Sequence, residues 1–325
     1  MTKPKMLLPG MGLMSGWGWT ATSPLVYTLQ RNAKYCHFGY TKSFRCLDLN
    51  PYKLQHGSYI RNIYDRVASG TWENWDSLQE GTHRLNLTQD LEPIKDFPLE
   101  HFTKLISGAP TISKCIDYFH ALHDHVINKG YKSVGWTGIA LPQTPTELST
   151  KFITTLTSEF DVKQIFIVRD PVRVAFSIYL NRRKQIETSG YDRRDILPRK
   201  LKVLDYTSKI LEYYELFGKD NVHVVAMEDL WEDDGTAKQQ LSNFLDHPIP
   251  KLWKNLYAPD RGHLVQYNPD VPCQSYGQDL QELTDDIYYH YKNKYQHIYD
   301  SWVDKFGSLP LYWGQHLDYN TGRPL

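Results

Sequence analysis

A run of small and hydroxyl-bearing residues near the start of the chain has the makings of an anion site. Gly10, Gly12, Gly16 and Gly18 are followed by Thr20, Thr22 and Ser23, and Pro24 then opens an apolar stretch. Met6 to Pro9 reads as a short buried strand before them, and Ser23 and Pro24 suit the cap and first position of a helix. Strand, glycine-rich loop and helix N-terminus together present backbone N–H groups to a phosphate. The loop is not that of a kinase or ATPase: neither Gly10 nor Gly12 starts a G-x-x-x-x-G-K-[ST] match, and no Lys occurs between Lys5 and Lys34. His120, His123 and His125, with Asp117 and Asp124, raise a metal reading. His120 and Asp124 share a helical face, but His125 points elsewhere and no H-E-x-x-H pattern exists, so a solvated helix face and no metal are expected. The basic residues Arg182, Arg183, Lys184, Arg193, Arg194, Arg199, Lys200 and Lys202 are interrupted by Glu187, Asp192 and Asp195. They read as a solvated surface, with a patch facing an anionic ligand as the competing reading.

The elements that must position these groups alternate between strand and helix. A second short strand is expected over Lys34 to Gly39, a third over Ser133 to Trp136, and the clearest over Gln164 to Val168, a continuous apolar run of the kind covered on both faces. Asp170 and Pro171 then start a helix marked by Val172, Ala175, Phe176, Tyr179 and Leu180. Another helix is expected from about Leu201 to Phe217, stopping at Gly218, and a strand over Val222 to Ala226. Such alternation predicts an α/β fold with a central parallel sheet flanked by helices. Residues 50 to about 130, with Trp72 and Trp75 among many turn formers, read as a mostly helical insertion. Near the end, Leu280, Leu283, Ile287, Tyr291, Ile298 and Trp302 mark one face of a long C-terminal helix at about 279–305 that packs on the core.

Composition narrows the class further. At 325 residues, 41% hydrophobic and 14% aromatic, the chain has ample apolar surface to bury, and disordered or low-complexity readings are excluded. Lys+Arg 37 balances Asp+Glu 37, which removes the global positive field of a general nucleic-acid binder. The charge is uneven: Lys3, Lys5, Arg31, Lys34, Lys42 and Arg45 precede the first acid, Asp48, so any polyanion site must be local. Cys36, Cys46, Cys115 and Cys273 form no C-x-x-C pair, and neither a zinc knuckle nor a disulfide framework is indicated. No stretch has the length of a membrane span or a signal-peptide core, so the expected location is the cytoplasm, with no membrane and no nucleic-acid partner.

The central motif is Ile165-Phe166-Ile167-Val168-Arg169-Asp170-Pro171, continuing to Ser177 and Tyr179. Here the chain resembles sulfotransferases that use 3'-phosphoadenosine 5'-phosphosulfate (PAPS), nearer the glycan and bacterial types than the cytosolic small-molecule ones. In that family an Arg ends a buried strand, a Pro opens the next helix, and a Ser lies eight residues after the Arg, as Arg169 and Ser177 do. The resemblance implies that this guanidinium and hydroxyl bind the 3'-phosphate of the donor, whose charge needs a fixed cation and directed donors. Glu228-Asp229-Leu230 looks like the family's E-D-L closing a later strand, and Gln240 to Leu245 with Pro248 resembles the helix and turn that follow. Ser133 to Thr137, with Leu141-Pro142, is similar to the strand and substrate-side loop upstream. The likeness is firm over residues 130 to 250 and weak over 45 to 130. It implies one sulfotransferase-like domain over 1–325 with a P-loop-like nucleotide-binding architecture.

On this likeness the early loop becomes the 5'-phosphosulfate site, with Gly16, Gly18, Trp19, Thr20, Ala21, Thr22 and Ser23 laid on the family's G-x-x-K-x-G-T-[ST] pattern. Trp19 stands where the family has Lys, and Ala21 where it has Gly. The missing Lys bears on stabilising charge at the bridging oxygen more than on binding. Trp19 itself either covers the sulfonate and acceptor or packs behind the loop. Lys42 matches the Lys of a K-E pair after the second strand and is the candidate substitute cation, whereas Ser43 replaces the Glu. His37 is the nearest titratable group of suitable pKa and the candidate base, an ordinary strand histidine being the competing reading. Arg261 falls where such enzymes place a second basic loop on the 3'-phosphate. The implied reaction moves a sulfuryl group from PAPS, without a metal, to a hydroxyl or amine on a small-molecule or glycan acceptor. A catalytically inactive PAPS- or glycan-binding protein is the alternative that Trp19 and Ser43 support.

Overall fold

The computed structural model describes residues 2–9, 25–26, 28–39, 92–94, 96–106, 111–136, 147–175, 206–232, 235–250, 255–258, 263–267 and 285–314. Five parallel strands form its centre: β1 (Lys5–Pro9), β2 (Cys36–His37), β3 (Ser133–Gly135), β4 (Asp161–Val168) and β5 (Val222–Ala226), in the order β2-β3-β1-β4-β5. Among the described residues, the helices include α1 (Leu99–Ile106), α2 (Ile112–Ile127), α3 (Glu147–Glu159), α4 (Tyr206–Phe217), α5 (Met227–Glu232), α6 (Thr236–Leu245), α7 (Asp285–Lys294) and α8 (Gln296–Phe306). The chain is therefore an α/β protein built on a parallel sheet, as its strand and helix pattern predicts.

Alternation along the strands explains why both faces are covered. On β1, Met6 and Leu8 join one apolar cluster and Leu7 the other; on β4, Val162, Phe166 and Val168 oppose Ile165 and Ile167. The first cluster receives Phe119 and Leu122 of α2, Leu156 of α3, Ile210 and Tyr213 of α4, and Tyr299 and Trp302 of α8. The second receives Leu25, Val26, Leu29, Leu241 and Leu245. A strand enclosed on both sides needs no polar face, which is why β4 reads as an unbroken apolar run.

Three sequence expectations are corrected. The second strand has only two residues; Phe38 N–H donates to the Gln30 Oε1 at 3.1 Å and Gly39 N–H to His37 Nδ1 at 2.8 Å, so side chains take over from the ladder. Gly39 sits at φ +54°, and a Cβ there would lie 2.4 Å from Tyr118 Oη and 2.8 Å from Leu122 Cδ2, so a glycine is required. Glu228-Asp229-Leu230 opens α5 rather than closing β5. The C-terminal helix is two helices, α7 and α8, separated at Tyr295, whose backbone lies at φ −103°, ψ 12°. Across the break the described stripe residues Tyr291, Ile298 and Trp302 are buried, with Tyr288, Tyr295 and Tyr299 beside them, and Leu280 and Leu283 lie outside the described residues. After β5 the chain also forms an antiparallel hairpin, β6 (Asn255–Ala258) with β7 (His263–Tyr267).

Among the described residues no helix is long and apolar enough to cross a membrane.

Candidate functional site

The strand order defines where a ligand belongs. From β1 the chain runs to β2 at one edge and returns to β3, whereas from β4 it runs to β5 at the opposite edge. The loops leaving β1 and β4 thus diverge, and the crevice between neighbouring strands whose connections part is where open parallel sheets bind ligands. The register places β1's last residue, Pro9, opposite Ile165, so β4 continues three residues farther, to Val168, which pairs with Ala226 of β5. Arg169 follows directly, projecting the end of β4 beyond β1.

Arg169 is only 7% exposed, and the charges around it are equally enclosed: Asp170 0%, Arg173 5% and Glu228 0%. Glu228 Oε1 lies 3.8 Å from Arg169 Nε and accepts the Asp170 N–H at 3.0 Å. Tyr206 Oη donates to the Arg169 carbonyl at 2.9 Å. Asp170 caps the helical turn at residues 171–175: its Oδ1 accepts from Val172 N at 2.8 Å, and Pro171 stands where no N–H is needed. The same carboxylate accepts from Tyr299 Oη at 2.9 Å and from Gly314 N at 2.7 Å. Trp313 Nε1 donates to Glu228 Oε2 at 3.3 Å. Burial raises the Glu228 pKa against the pull of Arg173 and Arg169, and also raises those of Tyr206 and Tyr299. Two arginines and two carboxylates inside apolar packing form a cation site held in one geometry.

His37 lies at the end of β2, wholly buried, with Nδ1 occupied by the Gly39 N–H and its ring edge-on to Tyr131 at 4.9 Å. A base needs a lone pair that an acceptor can approach, and here the Nδ1 lone pair holds the turn after β2. Gly16, Gly18, Trp19, Thr20, Ala21, Thr22, Ser23, Lys42, Ser177 and Arg261 lie outside the described residues, as do Ser43 and the basic run from Arg182 to Lys202. Arg261 falls in the connection between β6 and β7.

On α2 the face shared by His120 and Asp124 is exposed, as is Asp117, whereas His123 and His125 are half-buried. His120 stacks on Phe160 at 4.5 Å and pairs with Glu159 at 3.4 Å, His125 pairs with Asp96 at 3.2 Å, and His123 lies 3.5 Å from Asp124. No group of three or more His, Cys, Asp or Glu among the described residues is placed to hold a metal. An open groove of about 1130 Å³, lined by Lys3, Lys5, Lys132, Asp161 and Phe217, lies at the opposite, amino-terminal end of the sheet, away from Arg169.

Arg169 is legible through the likeness of its motif to that of sulfotransferases. Glu228 is legible only as part of the E-D-L motif, and Asp170, Arg173 and Trp313 are not legible as members of the same cluster. A buried arginine at a strand end is itself a signal for a buried carboxylate, and Glu228 follows the next strand. Nothing in local sequence marks Trp313.

Fold and site together define an α/β protein whose parallel sheet offers an enclosed cation at the carboxyl end of β4. Residues 112–260, a little under half of the chain, match the family described as "Sulfotransferase domain". Over these residues the chain carries the sequence pattern of the sulfotransferase family, as the Arg169 motif and its sequel imply. Among solved structures, the chain is similar to a sulfotransferase from Alicyclobacillus acidocaldarius at 14% identity and TM-score 0.48, covering 96% of this chain and 99% of that one. It is similar also to sulfotransferase STF9 from Mycobacterium avium at 13% identity and TM-score 0.38, covering 95% and 78%. Neither likeness is close enough to place a residue. No curated protein matches the chain in sequence.

Proposed function

We propose that the chain is one sulfotransferase-like domain over residues 1–325 that transfers a sulfuryl group from PAPS to a hydroxyl or amine on a small-molecule or glycan acceptor. The observation that carries this reading is the enclosed Arg169 at the end of β4, next to β1, which the glycine-rich sequence follows along the chain. A buried guanidinium, oriented by Glu228, suits a phosphate that must be recognised in a fixed place. PAPS supplies a sulfuryl group on a phosphate that leaves readily. The chain's own part is to hold the separate 3'-phosphate with Arg169, Ser177 and Arg261, and to surround the 5'-phosphosulfate with the amides and hydroxyls of Gly16, Gly18, Thr20, Thr22 and Ser23. Lys42 is the cation for charge developing on departure, replacing the Lys that Trp19 displaces. His37 shapes the exit of β2.

Calorimetric titration tests the donor assignment. The protein should bind 3',5'-diphosphoadenosine far more tightly than 5'-AMP, and Arg169→Ala should remove most of that preference, on the order of 2 to 5 kcal/mol for a desolvated charge pair. Equal affinity for the two nucleotides would sink the assignment. Turnover of labelled donor across an acceptor panel separates an enzyme from a binding protein, and Lys42→Ala should lower that turnover while leaving donor affinity largely intact.

A further inference from the structure

Residues at the end of the described chain reach back to the carboxyl ends of β4 and β5. Tyr299 Oη and Gly314 N hold the two oxygens of Asp170, at 2.9 Å and 2.7 Å, across 129 and 144 residues of sequence. Trp313 Nε1 holds Glu228 Oε2 at 3.3 Å, and the other oxygen, Oε1, faces Arg169 and accepts the Asp170 N–H. The indole N–H therefore orients the Glu228 carboxylate, whose other oxygen lies in ion-pair range of Arg169, 3.8 Å from its Nε. Tyr206, which binds the Arg169 carbonyl, packs against the same Trp313 ring at 5.6 Å. Backbone and side chain of Arg169 are thus both referred to one tryptophan. Trp302 and Tyr299 pack on that ring at 4.8 Å and 6.3 Å, so it has little freedom to move.

We infer that Trp313 and Tyr299 are positioning residues for Arg169, acting through Glu228 and Asp170, and that this C-terminal clasp sets the protein's selectivity for a nucleotide carrying a 3'-phosphate. The inference rests on the donor reading proposed above. It adds that selectivity is controlled by residues that touch no ligand.

The test uses the full chain with Trp313→Phe and Tyr299→Phe, each removing one donor while keeping an aromatic ring. Calorimetric titrations with 3',5'-diphosphoadenosine and with 5'-AMP give a selectivity ratio, and thermal melts report folding. The expected result is a ratio lowered about tenfold by either variant, the scale of one hydrogen bond to a charged group, with affinity for 5'-AMP unchanged. A wild-type ratio in both variants, whatever their melting temperatures, overturns the clasp and reduces it to packing. Equal affinity of the wild type for the two nucleotides overturns the donor reading itself, and the clasp with it. Should Trp313→Phe not fold, Tyr299→Phe, which lacks a single hydroxyl, decides alone.

Discussion

Arg169 and Arg173 lie with Asp170 and Glu228 in a region almost closed to water, and the two positive and two negative charges balance before any ligand arrives. A phosphate placed beside Arg169 adds negative charge to a balanced cluster, and the readiest compensation is a proton on Glu228, whose pKa burial already raises. Binding of 3',5'-diphosphoadenosine is therefore expected to take up a proton, so affinity weakens as pH rises. Calorimetry in two buffers of different ionisation enthalpy measures this directly. Glu228→Gln should abolish the buffer dependence, and a heat independent of buffer in the wild type would contradict the argument.

At the scale of elements, the turn at residues 171–175, α8 and the segment after it meet at one carboxylate. Asp170→Ala leaves the donors of Val172, Tyr299 and Gly314 without their acceptor, and should cost about 3 to 5 kcal/mol, read as a lowered urea midpoint. Asp170→Asn keeps the cap oxygen and should cost less. What the sequence makes legible here follows from how locally each element is determined. β4 and β5 are legible because strands covered on both faces carry apolar runs, and α4 ends where Gly218 takes φ +81°. The brevity of β2 is not legible, since it depends on Gln30 and His37 capturing backbone amides. The break at Tyr295 is hidden because the buried stripe continues through it. Arg169 is legible from its motif, but the Trp313–Glu228 contact joins residues 85 apart and leaves no periodic trace.

Across the whole molecule, pH acts on stability through His223 as well as through Glu228. His223 on β5 stacks on Phe244 at 5.1 Å, and burial pushes its pKa down from 6.5 to about 4. Between those values the unfolded chain binds a proton that the folded chain refuses, so stability is fully present above pH 6.5 and declines as pH falls toward 4. The loss is up to about 2 to 3 kcal/mol for a shift of this size. Glu228 acts with the opposite sign, because its raised pKa makes the folded chain the better proton binder as pH rises through the carboxylate range. Comparing melting temperatures of wild type and His223→Phe over pH 4 to 7 isolates the histidine. The variant should lose less stability on acidification, and parallel curves would refute this assignment.

The C-terminal clasp also has a consequence for synthesis on the ribosome. Asp170 is made 144 residues before Gly314, its last donor, and Glu228 is made 85 residues before Trp313. At about 5 to 20 residues per second, a nascent chain carries the Asp170 carboxylate for roughly 7 to 30 seconds before that donor exists. Once β5 has been made, β1 to β5 can pair within that interval, yet the charge cluster lacks its later donors and the apolar face awaiting α8 stays uncovered. Completion of the cation site is thus timed by synthesis of residues 299–314 rather than by the order in which the strands appear.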